Sequence, residues 1–139
     1  MLILIVFLPL LGFFSGIFFG RYVNVCFITT FFLFICFSFS VFLAYDLFLN
    51  GIQHSINLGT WINSNNLHVS WFFLYDNLTL VMLCVVTLIS SLVHLYSIEY
   101  MEQDPHQQRF MSYLSLFTFF MLILVTANNF LQMFVGWEG

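Results

Sequence analysis

Charged residues divide the chain into long apolar runs, and the lengths of these runs predict its helices. Crossing about 30 Å of hydrocarbon takes roughly 20 residues at a rise of 1.5 Å per residue. The last uncharged run, Phe110–Trp137, is too long for one crossing. We divide it at Asn128 and Asn129, because adjacent amides are poorly placed in hydrocarbon but well placed at its edge. The predicted helices cover about residues 1–20, 22–45, 77–98, 110–127 and 129–139.

A different pattern, over about residues 52–73, separates the second and third predicted helices. Apolar and more polar side chains alternate on both sides of Asn63–Asn66, so we predict a β-hairpin with a four-residue turn. Trp61 and Trp71 suit the membrane–water interface. Asp76 then starts the third helix as an N-cap, and a functional role for its carboxylate is the alternative.

The composition assigns these apolar runs to a membrane. Of the 139 residues, 62% are hydrophobic, 22% are aromatic and 6% are charged, whereas a soluble domain has about 25% charged residues. The chain contains no lysine and two arginines, which excludes a nucleic-acid-binding protein. Its high content of apolar residues excludes a disordered one. We therefore predict an all-α polytopic membrane protein, with four full transmembrane helices, the start of a fifth, and a β-hairpin between helices two and three.

The two arginines predict the orientation of the chain. Arg21 lies between the first two helices and Arg109 between the third and fourth, so alternating spans place both on one side. The positive-inside rule assigns that side to the interior, with the N-terminus and the hairpin outside.

The cysteines and histidines do not predict a metal or redox centre. No two cysteines have the spacing of a zinc or redox motif, and we interpret all three as small packing residues. One of the four histidines lies inside a long apolar run, whereas an axial haem pair would need two. The cysteines are Cys26, Cys36 and Cys84, and the histidines are His54, His68, His94 and His106.

Two titratable residues are candidates for proton transfer. Glu138 follows about nine residues into the fifth predicted helix, so it lies roughly 14 Å below the interface. An acid at that depth is costly unless it is protonated, paired or hydrated, so we predict a function for Glu138. The alternative is that Glu138 has no function and merely lies near the end of the chain. His94, in the last turn of the third predicted helix, either binds a proton or lies at the headgroup level. The acids at 99, 102 and 104 form with Arg109 a solvated loop.

Several segments resemble one family of membrane proteins. Trp71–Thr79, Leu124–Asn129 and the closing Gly136–Gly139 are similar to chain 5 of proton-pumping NADH:ubiquinone oxidoreductase, respiratory complex I. The match is loose over Met1–Gly51 and close over Trp71–Gly139. The Gly-Trp-Glu-Gly ending resembles chain 5 more than the sister antiporter-like chains.

The resemblance implies the N-terminal portion of a subunit of the H⁺-translocating enzyme. In that family the residue matching Glu138 is a mid-membrane acid that pairs with a lysine on helix seven, which this chain lacks. The residue matching His94 is a weaker candidate for proton passage. The resemblance further implies no cofactor on this chain, with NADH, FMN, iron–sulfur clusters and ubiquinone held by other subunits.

The expected partners are other membrane-arm subunits, among them a neighbouring antiporter-like subunit, and lipids. We expect the remaining helices on a second polypeptide, with a longer subunit of which this is a part as the alternative. The alternative functions are the N-terminal part of a multisubunit cation/proton antiporter and a helical scaffold without an ion role. The lysine-free composition favours the mitochondrial inner membrane over a bacterial plasma membrane.

Overall fold

The architecture is a helical bundle with one β-hairpin. The computed structural model describes residues 2–20, 24–51 and 53–139. Four of the helices in this part of the chain are long and apolar enough to cross a membrane, which confirms the predicted fold class. In chain order the elements are α1 Leu2–Phe19, α2 Val25–Asn50, β1 His54–Ser64, β2 Leu67–Tyr75, α3 Asn77–Tyr100, α4 Gln107–Thr126 and α5 Phe130–Glu138.

The four long helices enclose a core with two different halves. α1 packs against α2 and α4, and α3 closes the bundle by contacting the same two helices. The half next to the hairpin is filled by apolar side chains such as Ile5, Leu47, Leu83 and Leu122. The half near the α3–α4 loop contains many small hydroxyl side chains, as described below.

Three helices extend beyond the apolar runs that predicted them, and one of these is α4, which begins at Gln107 instead of residue 110 and has Arg109 in its first turn. α2 continues to Asn50 instead of ending near residue 45, and it stops where Gly51 adopts a left-handed conformation with φ of 65°. α3 continues to Tyr100 instead of residue 98, with Glu99 inside its last turn. The predicted boundaries were wrong there because a charged residue ends an apolar run without ending the helix. A charged side chain in a terminal turn can reach polar surroundings while its backbone stays helical.

The hairpin turns more tightly than the sequence predicted. Ser64 pairs directly with Leu67, so the turn consists of Asn65 and Asn66 alone, and the predicted four-residue turn is corrected to two. Trp61 and Trp71 contact one another, with ring centroids 5.1 Å apart.

The hairpin lies over the end of the bundle where α1 begins and α4 ends. The Tyr75 hydroxyl donates to the carbonyl of Leu2 at 2.8 Å, and Phe73 forms an isolated antiparallel bridge with Ala127. At the opposite end, a Cβ built on Gly20 would lie 2.8 Å from the side-chain oxygen of Gln108. α1 and α4 therefore run in opposite directions.

Some of the sequence-based predictions fall outside the described residues. They concern the position of Arg21, the start of the second helix at residue 22, and the start of the hairpin at residue 52.

Candidate functional site

Glu138 lies at the end of a short helix that begins at the predicted break. α4 ends at Thr126, and Asn129 caps α5 by accepting a hydrogen bond from the Gln132 amide at 2.8 Å. Glu138 is eight residues beyond Phe130, the first residue of α5, which corresponds to about 12 Å along the helix axis. The two asparagines therefore set the distance between the acid and the hairpin end of the bundle.

The surroundings of Glu138 are mostly carbon. The residue is exposed in this chain and borders a groove of about 320 Å³ between α4 and α5. Aromatic and aliphatic side chains form most of the wall, and none of the described residues along it is basic. Besides Glu138 the lining residues are Phe117, Phe120, Met121, Leu124, Gly136, Trp137 and Gly139.

His94 is fully buried between α3 and α4. Its Nδ1 lies 2.8 Å from the carbonyl oxygen of Ser90, and its Nε2 lies 3.1 Å from the hydroxyl oxygen of Ser115. Because a carbonyl oxygen only accepts, Nδ1 carries the proton in the neutral imidazole. Nε2 is then the acceptor for the Ser115 hydroxyl, so the two contacts assign both the tautomer and the direction of the hydrogen bond.

The structure corrects the predicted location of His94. The residue lies six positions before the end of α3, which is about 9 Å along the axis, and it is inside the bundle instead of in the last turn. Its carbonyl partner Ser90 belongs to the helix interior and is not an orphan group at a helix end. The predicted placement in the last turn of α3 is therefore wrong.

The two candidate residues lie on opposite sides of α4. Ser115, which contacts His94, and Phe117 and Phe120, which line the groove at Glu138, are two to five residues apart in the same helix. At about 100° per residue this separation places them roughly 140–200° apart around the axis. The described residues therefore do not bring Glu138 and His94 together.

His94 belongs to a set of buried polar side chains that the sequence analysis missed. Most of these hydroxyls donate to a carbonyl one turn earlier in their own helix, as Thr29 does to Val25 at 3.0 Å. One pair crosses between helices, since the hydroxyl oxygens of Ser40 and Thr87 lie 3.0 Å apart. The set comprises Thr29, Thr30, Ser40, Thr79, Thr87, Ser91, His94, Ser97, Ser112, Ser115, Thr118, Thr126 and Gln132.

A signal for part of this set is present in the sequence. Thr87, Ser91 and His94 recur at helical spacing within an apolar run, which places them on one face of α3. The partners Ser40 and Ser115 come from other helices, so no local pattern identifies them.

The remaining acids have simpler surroundings. The Asp76 side chain accepts a hydrogen bond from the Thr79 amide at 2.7 Å, as the predicted N-cap should. This hydrogen bond lowers the pKa of Asp76. Glu99, Glu102 and Asp104 are exposed, as predicted, but Glu99 belongs to the last turn of α3 and Arg109 to the first turn of α4, so the loop itself is shorter than predicted.

Comparison with known proteins connects the chain to a family. A family model described as NADH-Ubiquinone oxidoreductase (complex I), chain 5 N-terminus matches residues 61–111. The whole chain aligns at 52% identity with NADH-ubiquinone oxidoreductase chain 5 of Phytophthora infestans and at 54% with that of Chondrus crispus. It spans 21% of each relative, or about a fifth of its length. The predicted resemblance to the N-terminal portion of chain 5 is confirmed.

One relative has a different name. A protein of Neurospora crassa called probable intron-encoded endonuclease 4 is 52% identical over 97% of this chain, which spans 25% of that protein. The present sequence contains two residues of the Lys and Arg class in total, which is too little positive charge to neutralise a phosphate backbone.

Proposed function

We propose that this chain, which is similar throughout to the N-terminal fifth of NADH-ubiquinone oxidoreductase chain 5, forms the N-terminal transmembrane portion of an antiporter-like subunit of respiratory complex I. In that role it takes part in proton translocation coupled to quinone reduction. The observation that carries the proposal is the position of Glu138. This residue lies at the end of α5, beside a largely carbon-lined groove.

Glu138 is the proposed proton carrier. Apolar surroundings disfavour an isolated carboxylate, so the group either takes up a proton or pairs with a cation. The exposed side of α5 leaves room for a cation supplied by the remaining part of the subunit. When such a cation approaches, the charged form is stabilised and the proton is released; when it withdraws, the proton returns.

His94 is a secondary candidate for proton transfer. Its Nε2, which accepts from Ser115, is the nitrogen that can take up a further proton. Protonation would make Nε2 a donor, and the Ser115 hydroxyl would have to turn toward another acceptor. Because α4 separates His94 from Glu138, a proton would need further groups to pass between them.

We assign the electron-transfer chemistry to other subunits, which would hold NADH, FMN, the iron–sulfur clusters and ubiquinone. The proposed partners are the polypeptide with the remaining helices, the neighbouring antiporter-like subunit and lipids. The proposed location is the mitochondrial inner membrane, with the hairpin in the intermembrane space and the Glu99–Arg109 loop in the matrix.

Exchange of Glu138 tests the proposal. Glu138→Gln keeps the shape of the side chain but cannot titrate, so it should lower proton pumping in the intact complex and, where the steps are tightly coupled, NADH oxidation as well. Glu138→Asp retains the acid with a shorter reach and should keep more activity. An equal number of protons pumped per NADH in the wild type and the Gln variant would refute the proton-carrier role.

A further inference from the structure

α5 is attached to the rest of the chain in an unusual way for an apolar helix. Two of its nine residues are buried, and these are Gln132 and Gly136. Its large apolar side chains are mostly exposed, with Phe130 at 84% and Trp137 at 76%. Within this chain, burial of large apolar side chains therefore contributes little to the position of α5.

Gln132 connects α5 to the hairpin. Its side-chain oxygen accepts a hydrogen bond from the backbone amide of Phe72 in β2 at 3.0 Å. Asn129, at the start of the same helix, donates to the carbonyl of Ser70 in that strand at 2.8 Å. Two amide side chains thus hold the beginning of α5 against one edge of β2.

The two halves of the Gln132 amide are used differently. The oxygen has the Phe72 partner, whereas Nε2 is buried and has no partner among the described residues. A buried amide nitrogen without a partner costs free energy. The burial of Gln132 is therefore not explained by hydrogen bonding of both of its polar side-chain atoms. Its acceptor oxygen is the group that the fold uses.

Gly136 brings α5 against the backbone of α4. A Cβ at this position would lie 2.7 Å from the amide nitrogen and 2.8 Å from the Cα of Leu124. Backbone atoms cannot turn aside as a flexible side chain can, so any larger residue must push the two helices apart. The absence of a side chain at Gly136 therefore sets the distance between α5 and α4.

From these contacts we infer that Gln132 and Gly136 are positioning residues for Glu138. The two residues are four positions apart and share one face of α5, and Glu138 follows Gly136 by two positions, about 200° around the axis. Gln132 sets the height of the helix against the hairpin, and Gly136 sets its distance from α4. Together they fix where Glu138 lies beside the groove between α4 and α5, at a position that is exposed in this chain. This inference rests on the proposed role of Glu138 in proton transfer.

Matched substitutions in the intact complex test the inference. Gln132→Met has a similar volume but removes the acceptor for the Phe72 amide, whereas Gln132→Glu keeps an acceptor oxygen. Gly136→Ala introduces the Cβ, and Gly12→Ala is its control, because a Cβ there would have its nearest neighbour at an ordinary 3.4 Å. The measurements are the protons pumped per NADH oxidised and the pH dependence of that ratio, each per assembled complex.

Gln132→Met and Gly136→Ala should each lower the pumping ratio at least about twofold and shift its pH dependence, since displacement of a reacting group by about 1 Å can cost up to 100-fold. Gln132→Glu should restore most of the ratio, and Gly12→Ala should leave it unchanged. Wild-type ratios and pH profiles in both test variants would overturn the inference.

The Glu138→Gln variant, measured in parallel, separates the two levels of the argument. If Glu138→Gln loses pumping and the two test variants do not, the positioning role alone is overturned. If pumping is unchanged in Glu138→Gln, the proposed function itself is overturned. If Gln132→Met does not assemble, Gly136→Ala decides the matter. Failure of both variants to assemble also overturns the inference, because the two residues would then serve stability alone.

Discussion

Exchanging Gly16 for alanine should force α1 and α4 apart. A Cβ on Gly16 would overlap the hydroxyl oxygen of Ser112 and would lie 2.9 Å from the Ser112 Cβ and 3.2 Å from Cγ1 of Val25. The hydroxyl could turn, although it donates to the carbonyl of Gln108 at 2.8 Å. The Cβ of Ser112 is fixed to its backbone, so the helices themselves must move.

Gly12, one turn earlier on the same helix, provides the matched control for Gly16. A Cβ there would have its nearest neighbours at 3.4 and 3.6 Å, which is ordinary contact. Overpacking typically costs 1–3 kcal/mol, whereas alanine is favoured over glycine inside a helix by about 1 kcal/mol. The gain from alanine applies at both positions, so we expect Gly12→Ala to be neutral or slightly stabilising and Gly16→Ala to be less stable than Gly12→Ala by roughly 1–3 kcal/mol.

A compensating substitution makes the test specific. Ser112→Gly removes both atoms that Gly16→Ala would meet on α4, so the double variant should recover most of the stability that the single variant loses. The assay is the midpoint temperature at which the solubilised complex dissociates on native gels. A double variant no more stable than Gly16→Ala, or equal losses in Gly12→Ala and Gly16→Ala, would refute the reasoning.

Other substitutions have equally direct outcomes. Asp76→Ala should lower stability by about 1 kcal/mol, because it removes the N-cap of α3. Folding lowers the pKa of Asp76, so the cap contributes its full stabilisation at pH values above the ordinary carboxyl pKa near 3.9. This contribution is lost as the pH falls through the lower pKa of the folded state. Asp76→Asn should stay near wild type at neutral pH without that acid dependence, and thermal dissociation at several pH values measures both. Ser115→Ala leaves Nε2 of His94 without its donor and should cost about 1–3 kcal/mol in the same assay; an unchanged midpoint would contradict the buried hydrogen bond. A single reporter cysteine at Gln103 should react with an impermeant thiol reagent from the matrix side, and labelling from the outer face would disprove the orientation.

The outline of the fold was predictable because each part of it has a local signal. Uncharged runs predicted the four long helices, alternation predicted the hairpin, and Asn128 with Asn129 predicted the break before α5. The ends of α2 and α3 were misplaced, since Asp46 and Glu99 end apolar runs while the backbone remains helical.

The site was predictable only in part. Glu138 and His94 stood out as titratable residues in apolar surroundings, but their separation by α4 depends on which face of that helix each neighbour uses. Ser115, Gln132 and Gly136 carry no strong signal of their own, because each acts through a partner on another element. Contacts of this kind depend on tertiary packing, which a single sequence does not specify.

The hairpin has a consequence for the order in which the chain is built. β1 covers one edge of β2, and the other edge would present free backbone groups of the kind that invite aggregation. Residues 127–132, which are synthesised later, cover that edge at Ser70, Phe72 and Phe73. In a newly translocated hairpin, this edge of β2 therefore stays uncovered until the segment after α4 reaches the same side of the membrane. Insertion of α5 is therefore also the step that protects the hairpin, and a ribosome that pauses before residue 127 would leave an aggregation-prone strand exposed.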